Sequence, residues 1–470
     1  MKKLSLIGMG LVLLMTLTQC KKAETPSANE MVGEKVHITL DVDNGSKNFV
    51  HPETGNAFFT NGDEVLVANN GRYVGTLVYN SSNRHFSGDI EGAVESDYLH
   101  FYFMGNQTLA EGTPSNSTTS FTVNISDQTN CYPQIAYAPS SVKYSGGMAY
   151  KAKLLNKCAL VKFTTTNEIL VGAAVTLSGL NNQVSVNLGS KEFTYSQVDG
   201  GNIKLHSEST TSHWAILLPG DAATVTASAT GYKTTTGISI PSVSANDYLT
   251  DGASFTLTEQ FVDLGLPSGL LWATCNVGAD TPEGYGNYFA WGETQQKNTS
   301  YNWSNYLYCT GDGFSLTMYC DYSYYGYNGF TDDLTTLLPE DDAATANWGD
   351  GWRMPTKAEF EELRSYTTSL GGLTTQNGVY GLRFTASNGN SLFLPAAGYR
   401  DDNGLNDADS RCYYWSSSLY TESQPNFAWG YFYSSTQSMW GGGSIYEYKT
   451  SIENRNVGFT VRPVCSLRKN

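Results

Sequence analysis

The chain has 470 residues, with 44 acidic against 28 basic side chains and a formal charge of −16. That balance repels phosphate backbones and anionic lipid, so nucleic acid is excluded as a partner, as is a purely electrostatic hold on a membrane. Only 15% of residues are charged, whereas glycine numbers 47 and tyrosine 31; a disordered acidic chain, poor in aromatics, is therefore excluded too. In chain order, Lys2 and Lys3 precede an apolar run from Leu4 to Leu17. A short basic stretch, a brief apolar core and a processing site constitute a secretory signal. The run is too short to span a bilayer, which takes about 20 apolar residues.

The placement of Cys20 after Leu17-Thr18-Gln19 resembles a bacterial lipoprotein signal, although Gln19 departs from the small residue of that pattern. The resemblance implies that residues 1–19 are removed and Cys20 is acylated, so the membrane is a partner only through the lipid. Loss of Lys2 and Lys3 takes the charge from −16 to −18, two positive charges fewer. Lys21-Lys22-Ala23-Glu24 resembles the charged tag that sends lipoproteins of gut-type Gram-negative bacteria to the outer cell face. The implied location is the outer membrane, facing the exterior. Residues 20–34, with Pro26, Ser27, Asn29 and Gly33, read as a flexible tether.

From Val36 to about Leu257 the pattern is one of short alternating strands broken by Asn, Asp, Gly and Ser. Val36–Val42, Val65–Ala68 and Tyr73–Tyr79 lead the series. A second run begins at Cys158-Ala159-Leu160-Val161-Lys162-Phe163 and continues through Ala174–Leu177 and Ala215–Gly220 to Ser254–Leu257. Turn signals at such short intervals, without a long helical period, predict β-sandwich modules over 35–157 and 158–258. Thr60-Asn61-Gly62-Asp63, Phe86-Ser87-Gly88, Leu99–Phe103, Leu160–Phe163 and Phe255-Thr256-Leu257 resemble fimbrillin-like lipoproteins of the Bacteroidetes. That resemblance implies paired sandwich domains, used either in pilus-like assemblies or as a stalk.

The last region, 262–466, carries Val262–Gly269, Leu271–Ala279, Tyr285–Glu293, Gly351–Thr356, Trp415–Ser418 and Val457–Val464. In order and spacing this series resembles the Fibrobacter succinogenes major paralogous domain, which implies a fold similar to C-type lectins and formylglycine-generating enzymes. From the residues alone, Thr356-Lys357-Ala358-Glu359 is a capping box that starts a helix running to about Tyr366, with Phe360 and Leu363 inward. Gly381–Phe384, Ser391–Pro395, Ala428–Tyr433 and Val457–Val464 read as strands. The expected fold class is thus multidomain: all-β sandwich modules followed by an α+β, C-type-lectin-like domain.

Function is constrained by an asymmetry. All six histidines lie at or before His213, and eight of nine tryptophans lie at or after Trp272. The C-terminal part therefore lacks the residue that most often serves as general base and metal ligand. Its Trp, Tyr, Ser, Asn and Gly are the palette of a recognition surface. Between Arg400 and Tyr448, the loop residues Tyr413, Tyr420, Trp440, Tyr446 and Tyr448 are the expected ligand surface, for a glycan or a protein, whereas Trp415 is expected in the core. On the Ala428–Tyr433 strand, alternation sets Trp429, Tyr431 and Tyr433 against Ala428, Gly430 and Phe432 without showing which face is inside. This run also resembles the display surface of variable binding proteins in diversity-generating retroelement systems.

Asp401, Asp402, Asp407 and Asp409 offer oxygens that suit calcium, and Gln424-Pro425-Asn426 resembles half of a calcium-lectin motif, but no Trp-Asn-Asp follows it. No cofactor is expected. Seven cysteines remain after Cys20, with Cys309–Cys320 and Cys275–Cys465 as candidate pairs, or all seven reduced and buried. Arg455, Gly458 and Phe459 resemble the closing motif of formylglycine-generating oxidases, whose chemistry would require Cys412 and Cys465 to meet. The expected role is a non-catalytic, adhesin-like surface lipoprotein, with a structural pilus subunit as the alternative.

Overall fold

The computed structural model describes residues 35–42, 59–93, 95, 97–130, 132–146, 149–298, 300–369, 372–422, 424–437 and 444–467, and among these not the side chains of 434–449. Cys20, the tether, Cys131 and Trp440 lie outside the described residues. Strand is the main regular structure of the described chain, arranged in several sheets, with two short α-helices.

Period-two alternation does more here than mark one wet and one dry face. In Glu64–Asn69, Val65 and Val67 point into one core with Ile38, Leu77 and Phe101, while Leu66 and Ala68 point into another with Tyr102, Phe121 and Trp214. The strand is buried on both sides, as its near-continuous apolar sequence requires. It sits in the middle of a nine-stranded sheet, between Tyr98–Phe103 and Arg72–Asn80. Val36–Val42 pairs antiparallel with His85–Ile90 and parallel with Ala149–Ala152.

Residues 35–157 and 158–258 are interleaved rather than set side by side. Ser120–Asn124 pairs with Gln183–Asn187, which in turn pairs with Phe193–Ser196. Leu160, Trp214 and Ile216 share a core with Tyr102 and Phe121. The expected boundary near 157 is therefore a position along the chain, not a break in packing. Ala159–Thr165 repeats the two-faced pattern, with Leu160 in that shared core and Val161 and Phe163 in the next, beside Val175, Leu217 and Phe255.

That next core continues past residue 258. Phe261, Leu271, Ala273, Trp352 and Cys465 belong to it, while Trp272, between Leu271 and Ala273, points into a further core with Phe360, Leu382 and Tyr431. Strand Val464–Cys465 pairs with both Leu271–Ala273 and Trp352–Arg353, bringing together segments almost 200 residues apart in sequence. The C-terminal region is thus fused to the second sandwich through shared apolar packing.

Within it, the capping box forms as expected. Helix Lys357–Tyr366 starts with Thr356 Oγ1 accepting from Glu359 N at 3.3 Å, and Glu359 Oε2 accepts from Thr356 N at 2.8 Å. Phe360 and Leu363 are fully buried. Hairpin Val379–Ala386/Ser391–Pro395 and the three-stranded sheet Cys412–Leu419/Phe427–Gln437/Ser444–Asn454 follow. The middle strand of that sheet buries Tyr431 and Tyr433 on one side and Ala428 on the other, so neither face is a free surface. Val457–Val464 is not a continuous strand, because single bridges at Gly458, Phe459 and Thr460 go to three different partners. Between Cys275 and Asp342 the described chain has only isolated bridges and short 3-10 turns.

Candidate functional site

The irregular stretch has no ladder to satisfy its backbone, yet buried carbonyls must find donors. Tyrosine hydroxyls and tryptophan N–H groups supply them. Tyr288 Oη donates to Ala397 O and Tyr301 Oη to Tyr288 O, both at 2.6 Å, and Tyr306 Oη donates to Trp291 O at 2.7 Å. Trp291 Nε1 reaches Ser416 O at 2.8 Å, and Trp415 Nε1 reaches Phe289 O at 2.9 Å. Each such ring fills apolar volume with its body and caps a carbonyl with its tip.

At the centre lies Arg455, fully buried. Its guanidinium donates to Tyr306 Oη, Tyr319 O and Pro425 O at 2.9 Å and to Met318 O at 3.1 Å. It stacks against Trp291, Tyr306 and Tyr319 at 4.9, 5.3 and 5.8 Å from the ring centroids. Beneath it, Tyr308 and Tyr319 both donate to Asp341, one to each carboxylate oxygen, at 2.5 Å. Burial, and then this carboxylate, push both phenols well above their ordinary range, so they remain donors at any physiological pH. This scaffold fixes the segment from Leu307 to Phe330.

The outer side of that segment is unusual. Leu307, Phe314, Tyr322, Tyr324, Tyr327 and Phe330 are all exposed, six of the thirteen large apolar side chains exposed among the described residues. Tyr324 is 67% exposed and Phe314 56%. Phe314 lies parallel to Tyr325, with centroids 5.0 Å apart and planes 14° apart, and Tyr324 stands nearly perpendicular to both. The turn beneath is tight: a Cβ at Gly326 would lie 1.8 Å from the Phe330 carbonyl oxygen, so only glycine fits. Tyr322 joins this cluster, with its ring centroid 6.3 and 6.1 Å from those of Tyr324 and Tyr325, and an exposed apolar cluster of this kind is a candidate interaction surface.

Sequence reasoning placed the surface elsewhere. Tyr413 is half-buried, stacked on Phe459 at 5.1 Å and edge-on to Tyr399, a packing position. Tyr420 is partly exposed; its hydroxyl donates to Glu422 at 3.1 Å and its ring leans on Trp429. Tyr446 and Tyr448 lie on strand Ser444–Asn454, their side chains outside the described residues, as is Trp440. The signal for the 307–330 surface was present: Tyr319 to Phe330 contains six aromatic residues and no aliphatic one. It is the same Tyr/Ser/Asn/Gly palette, earlier in the chain.

The other expected chemistries resolve into structure. Asp401 Oδ1 accepts from Asn403 N and Asn406 Nδ2, Asp402 accepts from Asn302, Asp407 pairs with Arg411 at 2.9 Å, and Asp409 accepts from Tyr285. Among the described residues no three His, Cys, Asp or Glu side chains form a ligand group. Pro425 O of the Gln-Pro-Asn triplet is taken by Arg455. Neither expected disulfide forms: Cys275, Cys309, Cys320 and Cys465 are free thiols, as are Cys158 and Cys412. Cys412 and Cys465 occupy different cores, and burial raises both thiol pKa values, keeping them protonated and unreactive. A cleft of about 970 Å³ opens where the C-terminal region meets the second sandwich, lined by Thr230, Lys233, Asp280, Trp348 and Asp350.

No protein-family model matches the chain, and no curated protein matches it. Among solved structures, a fimbrial protein from Bacteroides ovatus is 11% identical, with 93% of this chain and 99% of that one covered and a TM-score of 0.27. A candidate cell adhesion protein from Bacteroides uniformis is 15% identical, covering 42% of this chain and 80% of that one, TM-score 0.30. A candidate polysaccharide-binding protein from Bacteroides thetaiotaomicron is 12% identical, covering 41% and 76%, TM-score 0.28. Likeness at this level does not establish a common fold.

Proposed function

We propose that this chain is a non-catalytic, adhesin-like lipoprotein of the outer cell surface. Cys20 holds it to the membrane, the interleaved sandwiches project it, and the lectin-like C-terminal region binds a glycan or a protein. The observation that carries the reading is the exposed aromatic segment Leu307–Phe330, fixed from below by Arg455 and Asp341. Rigid rings with polar tips bury large area at low entropic cost, which is what a binding surface needs. Tyr420, Trp440, Tyr446 and Tyr448 belong to the same proposal as a second part of that surface.

The test is binding of the chain from residue 20 onward, without its lipid, to a panel of host and dietary glycans and surface proteins, with and without calcium. Isolated residues 262–470 are unsuitable, because Trp352 and Cys465 share a core with Val161. A ligand lost on Tyr322→Ala/Tyr324→Ala is the expected result, and loss on Trp440→Ala/Tyr446→Ala would assign the second part. Calcium dependence would direct attention to Asp401–Asp409. A blank panel with a fully folded chain contradicts the recognition role.

A further inference from the structure

The ring surface lies in a stretch of one-sided charge. Between Lys297 and Arg353 the chain has no lysine or arginine and eight acidic residues. Asp312, Asp321 and Asp333 are exposed and sit beside Phe314, Tyr322 and Phe330 in sequence. Asp341 and Asp342 are buried and contribute to the scaffold, and Asp332 accepts from the Tyr319, Cys320 and Leu334 backbone N–H groups, which leaves Asp312, Asp321 and Asp333 exposed near the rings in sequence and Glu340 and Asp350 exposed further along. Such a field repels anionic ligands and draws cations. A neutral ligand covering Phe314 and Tyr322 would crowd Asp312, which accepts from Phe314 N, and Asp321, the residue before Tyr322, and strip their water without compensation.

The inner side of the same segment shows what its rings accept. Tyr306 and Tyr319, together with Trp291, already hold the Arg455 guanidinium in a buried aromatic surround. Outside, Phe314 and Tyr325 lie parallel and Tyr324 stands across them at 84° and 81°, a corner that offers both ring faces and edges. A planar guanidinium stacks on such faces and, unlike an ammonium, sheds its water easily.

We propose that the ring surface around Phe314, Tyr322 and Tyr324 docks an arginine-bearing segment of a partner protein. This rests on the recognition role above and names the chemistry of its ligand. The test uses the same chain from residue 20 onward and three probes: a short synthetic peptide with two arginines in a neutral background, its lysine counterpart, and a neutral gluco-oligosaccharide. The arginine peptide should bind, the lysine peptide several-fold more weakly. Tyr322→Ala/Tyr324→Ala, which leaves the charge unchanged, should lower arginine-peptide affinity about tenfold. Asp312→Asn/Asp333→Asn should lower it too and flatten its salt dependence. Both tyrosines are about half exposed or more, so an unchanged unfolding midpoint shows that the fold is intact. Equal peptide binding by wild type and the ring variant overturns the proposal, because charge alone would then suffice. Ring-dependent binding of the oligosaccharide with no peptide binding also overturns it while leaving the recognition role standing. A broad panel blank with both probes inert removes both.

Discussion

The two halves of this molecule solve the same problem with different side chains. In the sandwiches, backbone groups pair in ladders, and the cores are mostly Val, Ile, Leu and Phe placed by period-two alternation. Between Cys275 and Asp342 there is almost no ladder, and the core is tyrosine and tryptophan whose polar tips reach backbone carbonyls. An aliphatic core needs regular strands to satisfy the backbone; an aromatic, hydroxyl-bearing core allows the chain to take irregular paths. The lesson concerns composition: most of the C-terminal aromatics are architecture, and only the outward subset is available for binding.

The sharpest way to break the comparison is at the join. Trp352 packs in the second sandwich's core and edge-on to Trp348 at 5.0 Å. Trp352→Ala should cost about 3–5 kcal/mol and split one cooperative urea transition into two. A single unshifted transition would mean that the halves are coupled elsewhere. Within the aromatic half, Arg455→Met keeps apolar volume but orphans the carbonyls of Met318, Tyr319 and Pro425. A loss of about 3 kcal/mol is expected, with faster amide exchange across 306–330.

Acid sensitivity should sit in the other half, where every histidine lies. His213 is buried, with Nδ1 3.0 Å from Ser207 Oγ, and burial holds its pKa down to about 4. The unfolded chain takes up this proton near pH 6.5, the folded chain only near 4. Stability from this group is therefore present above pH 6.5 and lost as pH falls from there towards 4, on the order of 3 kcal/mol in all. Comparing denaturation of wild type and His213→Gln between pH 7 and 4.5 should show the slope flattened in the variant. An identical slope would place the acid response on other groups.

How much of this was legible follows from the range of each interaction. The Thr356–Glu359 capping box is a contact three residues long, and the helix Lys357–Tyr366 could be read directly. Val36–Val42 announces itself by local alternation, and Ser391–Pro395 by a short apolar run that is buried at four successive positions. The pairing of Ser120–Asn124 with Gln183–Asn187 leaves no such local mark, so the sandwiches looked separable. The irregular segment has no period at all, since Tyr288 meets a carbonyl 109 residues away. The site suffered for the same reason. Tyr413 and Tyr324 look alike in sequence, and only long-range packing decides that one leans on Phe459 and the other faces water.

The smallest expected effect on stability accompanies the most direct test of the central claim, that the aromatic segment is a rigid scaffold with an outward recognition face. Tyr322→Ala/Tyr324→Ala should change unfolding free energy by no more than about 0.5 kcal/mol, as for exposed side chains generally. Ligand affinity of the same protein, titrated alongside wild type, should fall about tenfold, roughly 1.4 kcal/mol of binding. Unchanged affinity, or a loss of stability that accounts for the loss of binding, would contradict the division between inner architecture and outer recognition.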